Sequence, residues 1–247
     1  MGAVEVRVIS IGALGPGAGR GRAEADGTGG APAGRAGGGG RRPGHATTTL
    51  VTSGARRILI DPGLPEPVLL ARLEERAGLA AREITHVFLT SFKPDVRRGL
   101  GAFEEATWWI GEGEREGMGV PLVRALREAE EAGDEELAAP LREDVAILKR
   151  CAAAPDRLAD RVDLFPLPGV TPGLCGVLIA GPAAGVGPGT TVVCGDAIAT
   201  LDHLQRGRVL LPAADVARAQ ESFQEAMEIA DVLVLGRDNV VVNPGRR

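Results

Sequence analysis

The sequence predicts an α/β sandwich made of two strand-rich halves, each closed by helices. Three observations lead there. β-rich runs gather between Val4 and Ile60 and again between Val162 and Leu235. Helical periodicity follows the first group over Glu66 to Ala77 and precedes the last strand of the second from Val216 to Ala230. Several of the strands also empty into short turns built from Gly, Asp or Pro.

In chain order, Val4 to Ile11 alternates apolar with polar residues, as a half-buried strand does. Gly15 to Gly44 then holds 13 glycines in 30 residues and, prolines apart, nothing apolar larger than alanine. Such a segment buries too little surface to offset its ordering entropy, so it reads as a disordered Gly/Arg-rich insertion at 15–44 of a single domain spanning 1–247. Thr47 to Ser53 and Arg57 to Ile60 are strands joined by a turn at Ser53-Gly54-Ala55, and Asp61-Pro62-Gly63 ends the second. Leu69, Leu70, Leu73 and Ala77 lie at helical spacing before Gly78, a helix stop. Val87 to Leu89 has the composition of a buried strand and runs into a polar turn containing Pro94 and Asp95, after which a short helical stretch is expected.

Thr107 to Ile110 reads as a core strand carrying two tryptophans. Two charged helices fill Glu114 to Ala154, broken near Gly133-Asp134, with their Glu and Arg faces read as solvated surface. Strands return at Asp163 to Phe165, Gly176 to Ala180, Thr190 to Cys194 and Val232 to Leu235. Ala197 to Gln205 is expected as a short helix, and Asp215 as the cap of a longer one.

Composition narrows the function classes. The net charge of −5 argues against a nucleic-acid partner, and aromatic content of 3% with no tyrosine leaves few stacking platforms for bases. Lysine occurs only at Lys93 and Lys149; the arginine richness reads as coding bias rather than phosphate recognition. The glycine-arginine insertion could be considered as an RNA arm, but it lacks interleaved aromatics and carries Glu24 and Asp26. No apolar run reaches the ~20 residues needed to cross a bilayer, and no basic and apolar leader opens the chain. Cys151, Cys175 and Cys194 form no spaced framework, so a cytoplasmic protein with reduced thiols is expected; Cys175 and Cys194 could face each other across a hairpin. That leaves a protein or small-molecule partner.

Four motifs carry a resemblance. Thr90-Ser-Phe-Lys-Pro-Asp-Val96 follows a strand, as do Pro168-Gly-Val-Thr-Pro-Gly173, Gly195-Asp-Ala197 and Leu235-Gly-Arg-Asp-Asn239. In this order they resemble the metal-binding loops of the metallo-β-lactamase superfamily, and Ile58-Leu-Ile-Asp-Pro-Gly63 resembles its opening hairpin, with Asp61 as the counterpart of the residue that braces the metal loop. The resemblance implies a metallo-β-lactamase-type αββα four-layer sandwich. Active members hold zinc, or sometimes iron or manganese, through five histidines and two aspartates, and a metal-held hydroxide attacks the substrate.

Carried over position by position, the histidines become Ser91, Lys93, Val96, Val170 and Arg237, and only Asp95 and Asp196 remain. Valine offers no donor atom, and the cationic side chains offer no lone pair. His45, His86 and His203 lie outside these positions, with His86 expected in a structural role. The resemblance therefore implies a pseudo-hydrolase with a binding or regulatory role and no cofactor. The alternative is a metal-dependent hydrolase with an atypical site, which would take zinc. A Ser91 nucleophile with Lys93 as its base lacks an identifiable oxyanion donor or orienting group. Lys93 or Arg237 is expected to pair with Asp95 or Asp196 in place of the metal charge, while Val96 and Val170 fill the imidazole volume.

Overall fold

The structure is a computed structural model that describes residues 3–15 and 44–246. The expected disorder of the Gly/Arg-rich insertion therefore concerns residues outside those described, except at its two ends. There Ala13 and His45 exchange backbone hydrogen bonds of 2.9 and 3.0 Å.

β1 (Val4–Ser10), β2 (Thr48–Ser53) and β3 (Arg56–Ile60) form an antiparallel meander. α1 (Glu66–Ala77) then carries the chain to β4 (His86–Leu89), which pairs parallel with β3. A 3-10 turn over Leu100–Phe103 precedes β5 (Thr107–Ile110), parallel to β4. α2 (Glu112–Glu131) and α3 (Glu135–Arg150) follow, and β6 (Ala152–Ala153) completes the first sheet in the order β1 to β6.

The second sheet begins with β7 (Arg157–Ala159), β8 (Val162–Pro166), β9 (Cys175–Ile179) and β10 (Thr191–Val193), each antiparallel to the one before. α4 (Leu201–Arg206) and α5 (Val216–Ile229) cross over to β11 (Val232–Val234), parallel to β10, and β12 (Val240–Val242) closes the order.

Periodicity decides the layers. Along β4, Val87 and Leu89 face the helices, where they meet Leu69 and Leu73 of α1 and Leu148 of α3, while Phe88 faces the other sheet. Between the sheets, Val6, Ile58, Phe88 and Trp109 pack on Val162, Val177, Val193 and Val234. On the far side Val192 and Leu233 pack on Leu204 of α4 and on Phe223 and Ala226 of α5. The result is the α/β/β/α order expected for the family. β4 is a central strand buried on both faces, which its unbroken apolar run requires, and each of its three large side chains contributes about 1.5 to 3 kcal/mol by burial. Helix ends match their signals: Gly78 closes α1 in the left-handed region at φ 65°, and Asp134 and Asp215 cap α3 and α5 by accepting from Leu137 N and Arg218 N.

The outer edge of β1 is covered from the second sheet. The β9–β10 loop lays Ala184 along it, with Val6 N donating to Ala184 O at 2.8 Å and Ala184 N to Val4 O at 2.9 Å. Gly185, at φ 91°, permits this approach; a Cβ there would sit 2.1 Å from Val6 O.

Several boundaries differ from expectation. α3 ends at Arg150 rather than near Pro155, because Cys151 turns extended and is buried, releasing Ala152 and Ala153 to pair with β5. The segment after Asp95 is a run of turns rather than a helix, and Ala197 to Gln205 divides into a 3-10 turn over Gly195–Ile198 and α4, whose cap is Thr200. β7 and β12 were too short for periodicity to mark. Cys175 and Cys194 do not face each other. Gly176 lies opposite Cys194, so Cys175 points between the sheets and Cys194 toward the helices. Among the described residues, no helix is long and apolar enough to cross a membrane.

Candidate functional site

The parallel pairs β3/β4 and β10/β11 end on the same side of the sandwich, and the loops leaving their carboxyl ends meet there. Ligand sites in open α/β sheets form at such ends. The two halves are joined across this point by the backbone: Cys175 N, at the start of β9, donates to Thr90 O at 3.0 Å.

Asp61 fixes the turn after β4. It holds the left-handed region at φ 53°, a conformation uncommon outside glycine, and is buried. Its carboxylate accepts from Thr90 N at 2.8 Å and from Thr90 Oγ1 at 2.7 Å, so the strand end is gripped by both backbone and side chain. Burial pushes this carboxyl up to about 7 against the opposing effect of the Thr90 bonds, and the charge of Asp196 pushes in the same direction.

The loop positioned this way brings four of the seven predicted residues together. Arg237, with its side chain 2% exposed, donates from Nε to Asp196 Oδ1 at 2.7 Å and from Nη2 to Asp196 Oδ2 at 2.9 Å. Its Nη2 also donates to Asp95 Oδ1 at 3.2 Å, and its Nη1 to Asp95 Oδ2. Lys93 Nζ donates to Asp196 Oδ2 at 2.8 Å. Two cations and two carboxylates thus form one chain of charge, Asp95, Arg237, Asp196, Lys93. Asp196 is buried and Asp95 and Lys93 are half-buried toward the surface. Burial alone would raise Asp196, but the charges and hydrogen bonds of Arg237 and Lys93 hold it well below the usual carboxylate range. The same carboxylates keep Arg237 protonated against its own burial.

Local backbone geometry explains why the parts fit. Gly195 adopts φ 53° with Thr90 against it, and a Cβ at Gly236 would lie 2.1 Å from Gly195 O. The segments bearing Asp196 and Arg237 are therefore pressed backbone to backbone. Arg237 N donates to Ala199 O, and Thr47 bonds both Gly236 O and Asp238 O, tying the β2 end to the same place.

The other three predicted residues lie elsewhere. Val96 is buried in the core beneath α1 to α3, and Val170 in the core beneath α5. Each anchors its loop in the apolar core beneath its own half's helices. Ser91 is fully buried, and its hydroxyl has no hydrogen-bond partner among the described residues. No base is bonded to it. His86 stacks on Trp109 with centroids 4.0 Å apart, and His203 shares a 2.7 Å contact with Thr200 Oγ1. His45 contacts Ile11 O.

Glu114 was missed. Expected on a solvated helix face, it is fully buried at the start of α2 and accepts from Phe92 N at 2.8 Å and from Gly173 N at 3.0 Å. One carboxylate therefore staples the first loop, from sheet one, to the Pro168–Gly173 loop of sheet two. Gly173 is required there, since a Cβ would lie 1.9 Å from Glu114 N. The available signal was position: an acid in the first helical turn directly after a buried strand.

The arrangement is a saturated ion cluster. Both oxygens of Asp196 are engaged by cations, and among the described residues no group of three His, Cys, Asp or Glu side chains is placed to hold a metal ion. Arg237 and Lys93 already hold both oxygens of Asp196, so any further cation approaching it would meet their charges first.

Comparison with known proteins agrees with the fold. The family model described as the metallo-beta-lactamase superfamily matches residues 41–228. A Thermotoga maritima protein classed as a metallo-beta-lactamase superposes with a TM-score of 0.64 at 16% identity, covering 97% of this chain and 99% of that one. A variant of AiiA from B. thuringiensis, bound to N-decanoyl-L-homoserine, gives 0.61 at 15%, covering 96% and 94%. The dizinc quorum-quenching lactonase AidC gives 0.58 at 20%, covering 77% and 71%. No curated protein sequence matches the chain.

Proposed function

This chain belongs to the metallo-β-lactamase superfamily, and from that premise we propose that it is a pseudo-hydrolase, in which fixed side-chain charges stand where active members hold metal and the fold is retained for binding or regulation. The observation that carries this reading is the engagement of Asp196 by Arg237 and Lys93 at 2.7 to 2.9 Å. In active relatives a bridging aspartate must offer its lone pairs to metal. Here three charge-assisted hydrogen bonds occupy both oxygens, and Arg237 reaches on to Asp95. Two cations balance two carboxylates, so the cluster is neutral without any ion from solution.

A metal-held hydroxide is the attacking group in the active family. Among the described residues no metal donor set is grouped and Ser91 lacks a bonded base, so they offer no activated nucleophile at this site. The remaining chemistry is structural: the cluster joins loops from both sheets and presents Lys93 and Asp95 at the surface.

Elemental analysis tests the reading. Protein purified without added metal is expected to carry far less than one equivalent of zinc, iron or manganese, and to leave N-acyl homoserine lactones, the class named for the lactonase neighbours, intact. Near-stoichiometric metal, or lactone hydrolysis lost on chelation, would overturn it.

A further inference from the structure

We propose that the groove between α2 and α3 binds a medium-chain carboxylate, tail on the apolar floor and headgroup between Arg115 and Lys149. This rests on the helical layer and not on the ion cluster. The groove is open to solvent, has a volume of about 250 Å³ and is lined by Arg115, Gly119, Val123, Val145, Leu148 and Lys149. Its lining is apolar apart from two cations and contains no anion, a composition suited to a ligand with an apolar body and one negative group.

Arg115, half-buried, and Lys149, exposed, supply the positive charge. Four basic side chains gather near the end of α3. Arg97 is engaged by Asp144 at 2.5 Å, and Arg150 lies over the Trp108 ring at 3.7 Å while donating to Glu104 O. Arg115 and Lys149 have no side-chain hydrogen bond or ion pair among the described residues. Lys149 lies in the last turn of α3, where the helix dipole favours a cation. Arg115 lies at the other kind of end, in the turn that also carries Glu112 and Glu114. It projects from the first turns of α2, the end at which the dipole disfavours positive charge. A carboxylate between the two would compensate both.

The floor is held open by a glycine. A Cβ at Gly119 would approach Leu148 Cδ2 to 3.4 Å, so any larger side chain there would occupy the groove. Glycine weakens a helix interior relative to alanine, and here it leaves space that no described residue fills. Val123, 44% exposed, extends the apolar surface outward from Val145 and Leu148.

Titration calorimetry of the full chain with octanoate, and with 1-octanol as the neutral match in chain length, tests the assignment. Octanoate is expected to bind saturably at one site and octanol at least tenfold more weakly. The double variant R115Q/K149Q, altered only at the groove rim, should lose at least tenfold in octanoate affinity, and G119L should abolish binding with the circular dichroism spectrum unchanged. If G119L fails to fold, the rim variant decides alone. Absence of saturable binding, equal affinity for octanol, or undiminished affinity in the rim variant would each refute the proposal, as would binding to anionic vesicles without binding to dissolved octanoate. Metal content has no bearing on these outcomes, so failure here leaves the pseudo-hydrolase reading in place.

Discussion

Replacing Arg237 by methionine tests the ion cluster most directly. The substitution keeps much of the volume and removes all the charge. Asp95 has a side chain 33% exposed and turns to water at little cost, so its share of the loss is under about 1 kcal/mol. Asp196 has a side chain 2% exposed and is left with Lys93 alone. Opposite charges about 4 Å apart interact by roughly 4 kcal/mol at the effective dielectric of protein sites, and breaking one side of a buried pair costs about 3 to 5 kcal/mol. R237M is therefore expected to lose about that much at pH 7, measured by urea unfolding followed through Trp108 and Trp109. The loss should depend on pH with a defined sign. In the native protein Asp196 is depressed, so its contribution is present above the ordinary carboxylate value near 3.8 and is lost as pH falls through the folded value. In R237M burial acts with less opposition and Asp196 is raised, so the variant recovers part of its deficit on acidification toward pH 4. The double variant D196L/R237M, which leaves no buried charge of this pair, should be less destabilised than R237M. A loss below about 1 kcal/mol in R237M, or a double variant costing the sum of the two single ones, would refute the account.

Three further outcomes follow from the surrounding geometry. Asp61 is raised from 3.8 to about 7, so it contributes stability that is fully present below about pH 4 and is lost as pH rises toward 7; urea midpoints should show that decline, by roughly 3 to 5 kcal/mol, and D61N should flatten it. E114Q turns an amide N–H toward one of two backbone N–H groups that now share a carboxylate; it should cost about 1 to 3 kcal/mol in the same assay, and a change below about 0.5 kcal/mol would show that the staple is dispensable. Adding a chelator, or millimolar zinc, should leave the melting temperature unmoved, because a native-state ligand would stabilise in proportion to its binding; a clear rise with zinc would point to a donor set outside the cluster.

Much of this was legible in the residues, and the reasons for the exceptions are physical. The burial of β4 follows from Val87, Phe88 and Leu89, and the ends of α1 and α5 from Gly78 and Asp215, because each signal is local. The meeting of Lys93, Asp95, Asp196 and Arg237 was legible only through the order of four motifs, since the residues are far apart in sequence. Glu114 escaped because its partners are backbone N–H groups of Phe92 and Gly173, which no side-chain pattern announces. β6, β7 and β12 escaped because two or three residues cannot display a period. The motifs located Val96 and Val170 along the chain but not the cores they enter, because the face a side chain turns to depends on the turn that follows.

The strip of backbone laid against β1 has a consequence for how copies of this protein behave toward one another. An uncovered edge strand offers a row of donors and acceptors to any neighbour and is a route to aggregation. β1 alternates in burial and would be a competent template, but Ala184 takes up its outer hydrogen bonds at Val4 and Val6. The guard depends on Gly185, whose positive φ and closeness to Val6 O admit no side chain. Replacing that one glycine would open the edge while leaving the three apolar layers intact, so its first symptom would be self-association rather than unfolding.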